Sequence, residues 1–173
     1  NGLIRKQRFG WKQLSRTFGG ETSLKILFDT NVILDVILNR QPFAPNAILL
    51  VAAVEEKRIQ GLLCDTTLIS IDYLVSKALG TESSRATLKK LLQLFEVAAV
   101  DYPVIQAAIE SDIKDFEDAV LYEAAKRAGA LGIVTRNKGD FSPVDLPIYL
   151  PDELAAIAGL LRVHEEVASY KVR

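Results

Sequence analysis

The chain has 173 residues, of which 49% are hydrophobic and 25% charged, and its formal net charge is −1. That balance suits one soluble globular domain whose core is large enough to fold without staples. A single cysteine, Cys64, excludes an internal disulfide, and the longest apolar run, Ala47 to Val54, has eight residues, far short of the roughly 20 that span a bilayer.

Residues 1–20 hold five basic residues (Arg5, Lys6, Arg8, Lys12 and Arg16) and no acidic one, leaving 16 basic and 22 acidic residues in the rest. No continuous apolar core follows these charges, so no secretory signal is expected. Residues 1–23 read as a basic arm, either a loosely held tail or appended sequence, with Gly19-Gly20 as its hinge. Residues 24–173 read as one domain. Cys64 is expected to be a buried, inert thiol, and a lone cysteine fits a reducing, cytoplasmic setting.

Leu24 and the run Lys25 to Phe28 predict a buried first strand, ended by Asp29. Asn31 to Leu38 carries a helical pattern. Pro45 opens a second helix through about Lys57, because its missing N–H is harmless in a first turn. Gly61 to Cys64 predicts a second strand. A helix capped by Asp65, Thr66 or Thr67 then runs to Lys77 and closes at Gly80. Another, capped by Thr81, runs to Leu94. Phe95 to Val100 predicts a third strand, and Pro103 starts a helix to about Ile113. Asp115 to Arg127 is strongly patterned, with Ala119, Tyr122, Ala125 and Ala128 along one stripe and Gly129 as its stop. Leu131 to Thr135 and Pro147 to Leu150 predict the last strands. A terminal helix begins at Pro151-Asp152-Glu153 and extends toward Tyr170. Its stripe of Leu154, Ile157, Leu160 and Leu161 suits packing on its own domain or on a partner.

Strands alternating with helices predict a parallel sheet covered on both faces. Ligand sites in such sheets lie beyond the carboxyl ends of the strands. Asp29 stands there directly, as helix cap or as functional acid. Asp115 and Asp118, three residues apart, share one face at a helix start, where the helix dipole favours negative charge and where capping also suits them. Thr135-Arg136-Asn137-Lys138-Gly139-Asp140-Phe141 follows the fourth strand, and Lys138-Gly139-Asp140 has the look of a turn. Carboxylates gathered from three junctions repel one another unless cations neutralise them. Mg²⁺ or Mn²⁺ suits such oxygen ligands, since no His or Cys cluster exists for zinc. The chain has neither a P-loop nor a dinucleotide-binding glycine motif. Phosphodiester hydrolysis is therefore expected rather than transfer from ATP.

Leu27-Phe28-Asp29-Thr30-Asn31-Val32, Asp115-Phe116-Glu117-Asp118-Ala119 and Ile133-Val134-Thr135-Arg136-Asn137-Lys138-Gly139-Asp140-Phe141 together resemble the PIN domain. The resemblance spans about Leu24 to Ala158 and includes the ending Leu146 to Glu153. It implies a three-layer α/β/α sandwich with a central parallel sheet of four to five short strands. It also implies an Mg²⁺- or Mn²⁺-dependent endoribonuclease of the VapC type, a toxin paired with a small antitoxin and commonly homodimeric. Asp29 takes the first metal-ligand position and Asp118 the third. Asn137 stands where many members carry Asp and others Asn, Asp140 matches a supporting acid, and Asp115 is an added carboxylate. Thr135 matches a hydroxyl facing the metals. The second acid falls on Ser70; Asp72 is the nearest acid, about 200° further around the helix.

Asn31 is a candidate for orienting Asp29 or the attacking water, and equally for capping the first helix. Arg136, Arg40 and Lys138 are candidate phosphate contacts, or plain surface charge. His164, the only histidine, reads as an exposed helix position. Two further readings stay open: a non-catalytic PIN-like binding protein with a degraded site, motivated by Ser70, and a phosphatase or DNA nuclease using the same acids.

Overall fold

The computed structural model describes residues 24–142 and 144–160. The basic arm, His164 and residues 161–173, over which the terminal helix was expected to continue, lie outside the described residues. Five strands, β1 (Leu24–Phe28), β2 (Ile59–Cys64), β3 (Glu96–Ala98), β4 (Gly132–Val134) and β5 (Ile148–Tyr149), form one sheet in the order β3-β2-β1-β4-β5. Every pairing is parallel. The helices among the described residues are α1 (Thr30–Ile37), α2 (Ala44–Glu55), α3 (Asp65–Leu79), α4 (Thr81–Leu94), α5 (Tyr102–Ile109), α6 (Phe116–Arg127) and α7 (Pro151–Ile157).

The period of two along the strands divides the core into two layers. Leu24, Ile26 and Phe28 of β1, with Leu63 and Val134, pack against α1, α2, α3, α4 and α7. Leu27, Leu62, Cys64 and Ile133 face α5 and α6. This is the expected three-layer sandwich. Both faces of β1 are covered, which is why Ile26, Leu27 and Phe28 form a continuous apolar run after Lys25. Phe28 meets Phe95 edge-on, with ring centroids 5.2 Å apart. Gly61 lies beneath Phe95, where an added Cβ would come within 2.5 Å of the ring.

The elements differ from expectation mainly at their ends. β3 is shorter than Phe95–Val100 because it is an edge strand with Glu96 and Val97 in solvent. α5 stops at Ile109 rather than Ile113, and the Ser111 hydroxyl then takes the Ile113 N–H, a local alternative to the helical ladder. Gly80 occupies the cap position of α4 in place of Thr81, and Cys64 occupies that of α3. Asp65 instead accepts from Val100 N at 3.0 Å, tying the exit of β3 to the start of α3. Lys138–Asp140 forms a 3₁₀ turn. No helix among the described residues is long and apolar enough to cross a membrane.

The order of the strands creates a switch point. The chain leaves β1 toward β2 on one side, whereas β4 lies on the other side of β1. A crevice therefore opens beyond the carboxyl ends of β1 and β4. Asp29 and Thr135 are the residues that immediately follow these two strands.

Candidate active site

Asp29 leaves β1 with its own N–H donated to Val134 O at 3.0 Å, so the sheet ladder fixes its backbone. Its residue is only 8% exposed. Burial pushes its carboxyl above the usual range; hydrogen bonds from Thr135, Thr30 N–H and Asn31 oppose that rise, and the charge of Glu117 adds to it. Thr135 Oγ1 donates to Asp29 Oδ2 at 2.6 Å, and Asn31 Nδ2 donates to the same oxygen at 2.5 Å. Asn31 does not cap α1: its Nδ2 also reaches Thr135 Oγ1 at 3.2 Å, and its Oδ1 accepts Arg136 N at 3.2 Å. Thr135 Oγ1 in turn accepts Asn137 N at 3.0 Å. The start of α1 and the loop after β4 are thus stitched together around one carboxylate.

The second group comes from α6. Asp115 is its N-cap, accepting Glu117 N at 2.8 Å and Asp118 N at 3.2 Å. Capping by Asp115 leaves the carboxylates of Glu117 and Asp118 free of that duty. Asp118 is half-buried, and its carboxyl is raised to about 7. Burial is the largest cause, followed by the negative charges of Asp29, Asp115, Asp140 and Glu117. Four carboxylates therefore act on a fifth.

These groups share a cleft of about 780 Å³. Asp29, Asn31 and Thr30 line it from the β1–α1 junction, and Asp115, Glu117 and Asp118 from the start of α6. Asn137 and Asp140 close it from the loop after β4. Arg40 and Lys114 stand at its wall.

A family model of the PIN domain matches residues 25–139. The chain belongs to the PIN-domain family. It is similar to Ribonuclease VapC1 of Aquifex aeolicus (strain VF5), 24% identical over 136 residues that make up 76% of this chain and 93% of that protein. The fold matches that of a toxin–antitoxin complex from Klebsiella pneumoniae, with a TM-score of 0.57, 20% identity, and coverage of 73% of this chain and 97% of that one. It also matches VapBC2 from Rickettsia felis bound to a DNA fragment from their promoter, with a TM-score of 0.56, 19% identity, and coverage of 73% and 98%.

The donor set of this PIN-domain cleft is anionic and made of oxygen, which fits a hard divalent cation. Among the described residues, no three acidic, histidine or cysteine side chains converge tightly enough to enclose an ion by themselves. Mg²⁺ tolerates such an open arrangement because it retains several of its waters.

Three expected site residues lie elsewhere. Asp72 turns toward α4, where Ser84 Oγ donates to it at 2.7 Å and Arg85 approaches to 3.6 Å. The helical phase explains this: Ser70, two residues earlier, faces α6 instead, and its Oγ lies 3.4 Å from Glu117 Oε1. Arg136 is held inward, with Nε 3.3 Å from Asp35 Oδ2 and its guanidinium 4.3 Å over the Phe43 ring. Asp35 is fully buried. Lys138 Nζ is engaged by Glu153 at 2.9 Å. Of the three basic candidates, Arg40 alone reaches the cleft.

Glu117 and Lys114 line the cleft although the sequence reading did not single them out. The signal for Glu117 was Asp115 at the cap position, which leaves the next acids of the turn available. Lys114 had none beyond adjacency. Cys64 is buried as expected.

Proposed function

We propose that this chain is a metal-dependent endoribonuclease that hydrolyses RNA phosphodiester bonds. The observation that carries this is the meeting of Asp29, Asp118 and Asp140 in one cleft, where burial first and the neighbouring carboxylates second lift Asp118 to about 7. Negative charge concentrated in one cleft favours binding of a divalent cation. Asp29 and Asp118 would hold Mg²⁺ or Mn²⁺, with Asp140 and Asp115 in support. Bound there, such an ion supplies the positive charge that lets a water ionise and steadies the leaving oxygen.

The protein's own groups do the rest. Asn31 and Thr135 fix the direction of the Asp29 carboxylate, so that less reorganisation is needed as the reaction proceeds. Arg40 and Lys114, at the rim of an acidic cleft, offer the cations for RNA phosphates. The fully buried Asp35 holds Arg136 back from this role.

The name of the Aquifex relative and the complexes from Klebsiella and Rickettsia support a toxin partnered by an antitoxin; that the antitoxin is small and inhibitory, and that the toxin is a homodimer acting in the cytoplasm, are further parts of the proposal. The second reading, a non-catalytic binding protein, draws on Ser70, which leaves α3 without a carboxylate in the cleft. Incubating the purified protein with RNA, DNA and a phosphomonoester, with and without Mn²⁺, tests the proposal. Metal-dependent cleavage of RNA alone is expected, and loss of that cleavage in Asp29→Asn and Asp118→Asn. RNA cleavage undiminished in both variants would reject the assignment.

A further inference from the structure

Helix α3 brings a hydroxyl, Ser70, to the place where an acid was expected. That hydroxyl meets a carboxylate from another helix: Ser70 Oγ lies 3.4 Å from Glu117 Oε1. Glu117 lines the same cleft as Asp29 and Asp118. We infer that Glu117 supplies from α6 the carboxylate that α3 lacks, and that it helps to hold the divalent ion.

An acid in the first turn of a helix is ordinarily explained by the helix dipole. That accounts for the residue type at 117 but not for its partner. Asp115 already takes the N–H groups of Glu117 and Asp118, so neither acid is consumed in capping. Consecutive helical residues project about 100° apart, which lets Glu117 and Asp118 border one cleft from two directions. The charge of Glu117 is felt by both Asp29 and Asp118. Positions 70 and 117 adjoin one another, so a carboxylate on either helix can serve one point in the cleft.

This inference rests on the metal-site reading above, and Mn²⁺ binding measured by calorimetry separates the two. Glu117→Gln is expected to weaken Mn²⁺ at least about tenfold, within the range seen when groups around a bound metal are removed, with an unchanged thermal melt in the absence of metal. The double variant Ser70→Glu/Glu117→Gln is expected to recover affinity to within about threefold of wild type. Wild-type affinity in Glu117→Gln, alongside lost affinity in Asp118→Asn, would overturn the role of Glu117 and leave the site itself standing. A double variant as weak as Glu117→Gln would overturn the claim that the two positions serve one point. Wild-type affinity in both Asp29→Asn and Asp118→Asn would remove the metal site, and this inference with it.

Discussion

Thr135 Oγ1 sits 2.6 Å from Asp29 Oδ2, joining the residue after β4 to the residue after β1 across 106 positions of sequence. Because β1 and β4 are neighbours in register, with Phe28 opposite Val134, the sheet itself brings these two side chains together. Without the hydroxyl, Asp29 would keep the donors Asn31 and Thr30 N–H but lose the one that lowers its pKa most. Thr135→Val is therefore expected to raise the Asp29 pKa further. RNA cleavage should fall by about 10- to 100-fold, and the rise of activity with pH should move to higher pH. A pH–rate profile checks both, and an unmoved acidic limb would show that Thr135 does not set the state of Asp29.

Asp118 links the site to stability. Its carboxyl stands at about 7 in the fold against an ordinary 3.8. Between those pH values the folded chain binds a proton that the unfolded chain does not, so folding stability falls as pH rises through this window and gains as pH falls. Metal-free protein should accordingly melt at higher temperature at pH 5 than at pH 8. Asp118→Asn should flatten that difference and melt a few degrees above wild type at pH 8, the usual consequence of removing a strained functional charge. Thermal melts at several pH values in the presence of a chelator decide this.

The same carboxyl should govern metal affinity. A cation requires the ionised form, so binding competes with the proton. Mn²⁺ affinity should fall about tenfold between pH 8 and pH 6, as expected for one ligand titrating near 7. Added Mn²⁺ should correspondingly raise the melting temperature more at pH 8 than at pH 6. Equal affinity at both values would mean that Asp118 is not in contact with the ion.

The strand–helix alternation was readable because the buried strands of a parallel sheet carry short apolar runs, as in Ile26-Leu27-Phe28 and Leu62-Leu63-Cys64. The positions of Asp29 and Asp118 followed from those junctions. What escaped the sequence were partners set by tertiary contact. Asp72 and Ser70 differ by two residues, and only the packing of α3 on α4 decides which of them faces α6. Nothing near Arg136 in the chain announces Asp35 or Phe43, and nothing near Lys138 announces Glu153, which comes from α7.

Arg136 and Arg40 should behave in opposite ways. The fully buried Asp35 is raised by burial and lowered by Arg136 and then Arg40, so its charge depends chiefly on the Arg136 guanidinium. Removing one partner of a buried pair strands the other, and Arg136→Ala should destabilise the fold on the order of 3 kcal/mol. Adding Asp35→Asn should restore part of that loss, since no charge is then left uncompensated. Arg40 stands at the cleft wall and acts on Asp35 less than Arg136 does, so Arg40→Ala should lower the melting temperature less than Arg136→Ala. The effect of Arg40→Ala should appear in RNA affinity, with the salt dependence of binding reduced by about one counterion. Denaturant unfolding of the Arg136 variants and RNA titrations of Arg40→Ala at several salt concentrations test the division; a stable Arg136→Ala protein with lost RNA affinity would return Arg136 to the RNA-binding surface.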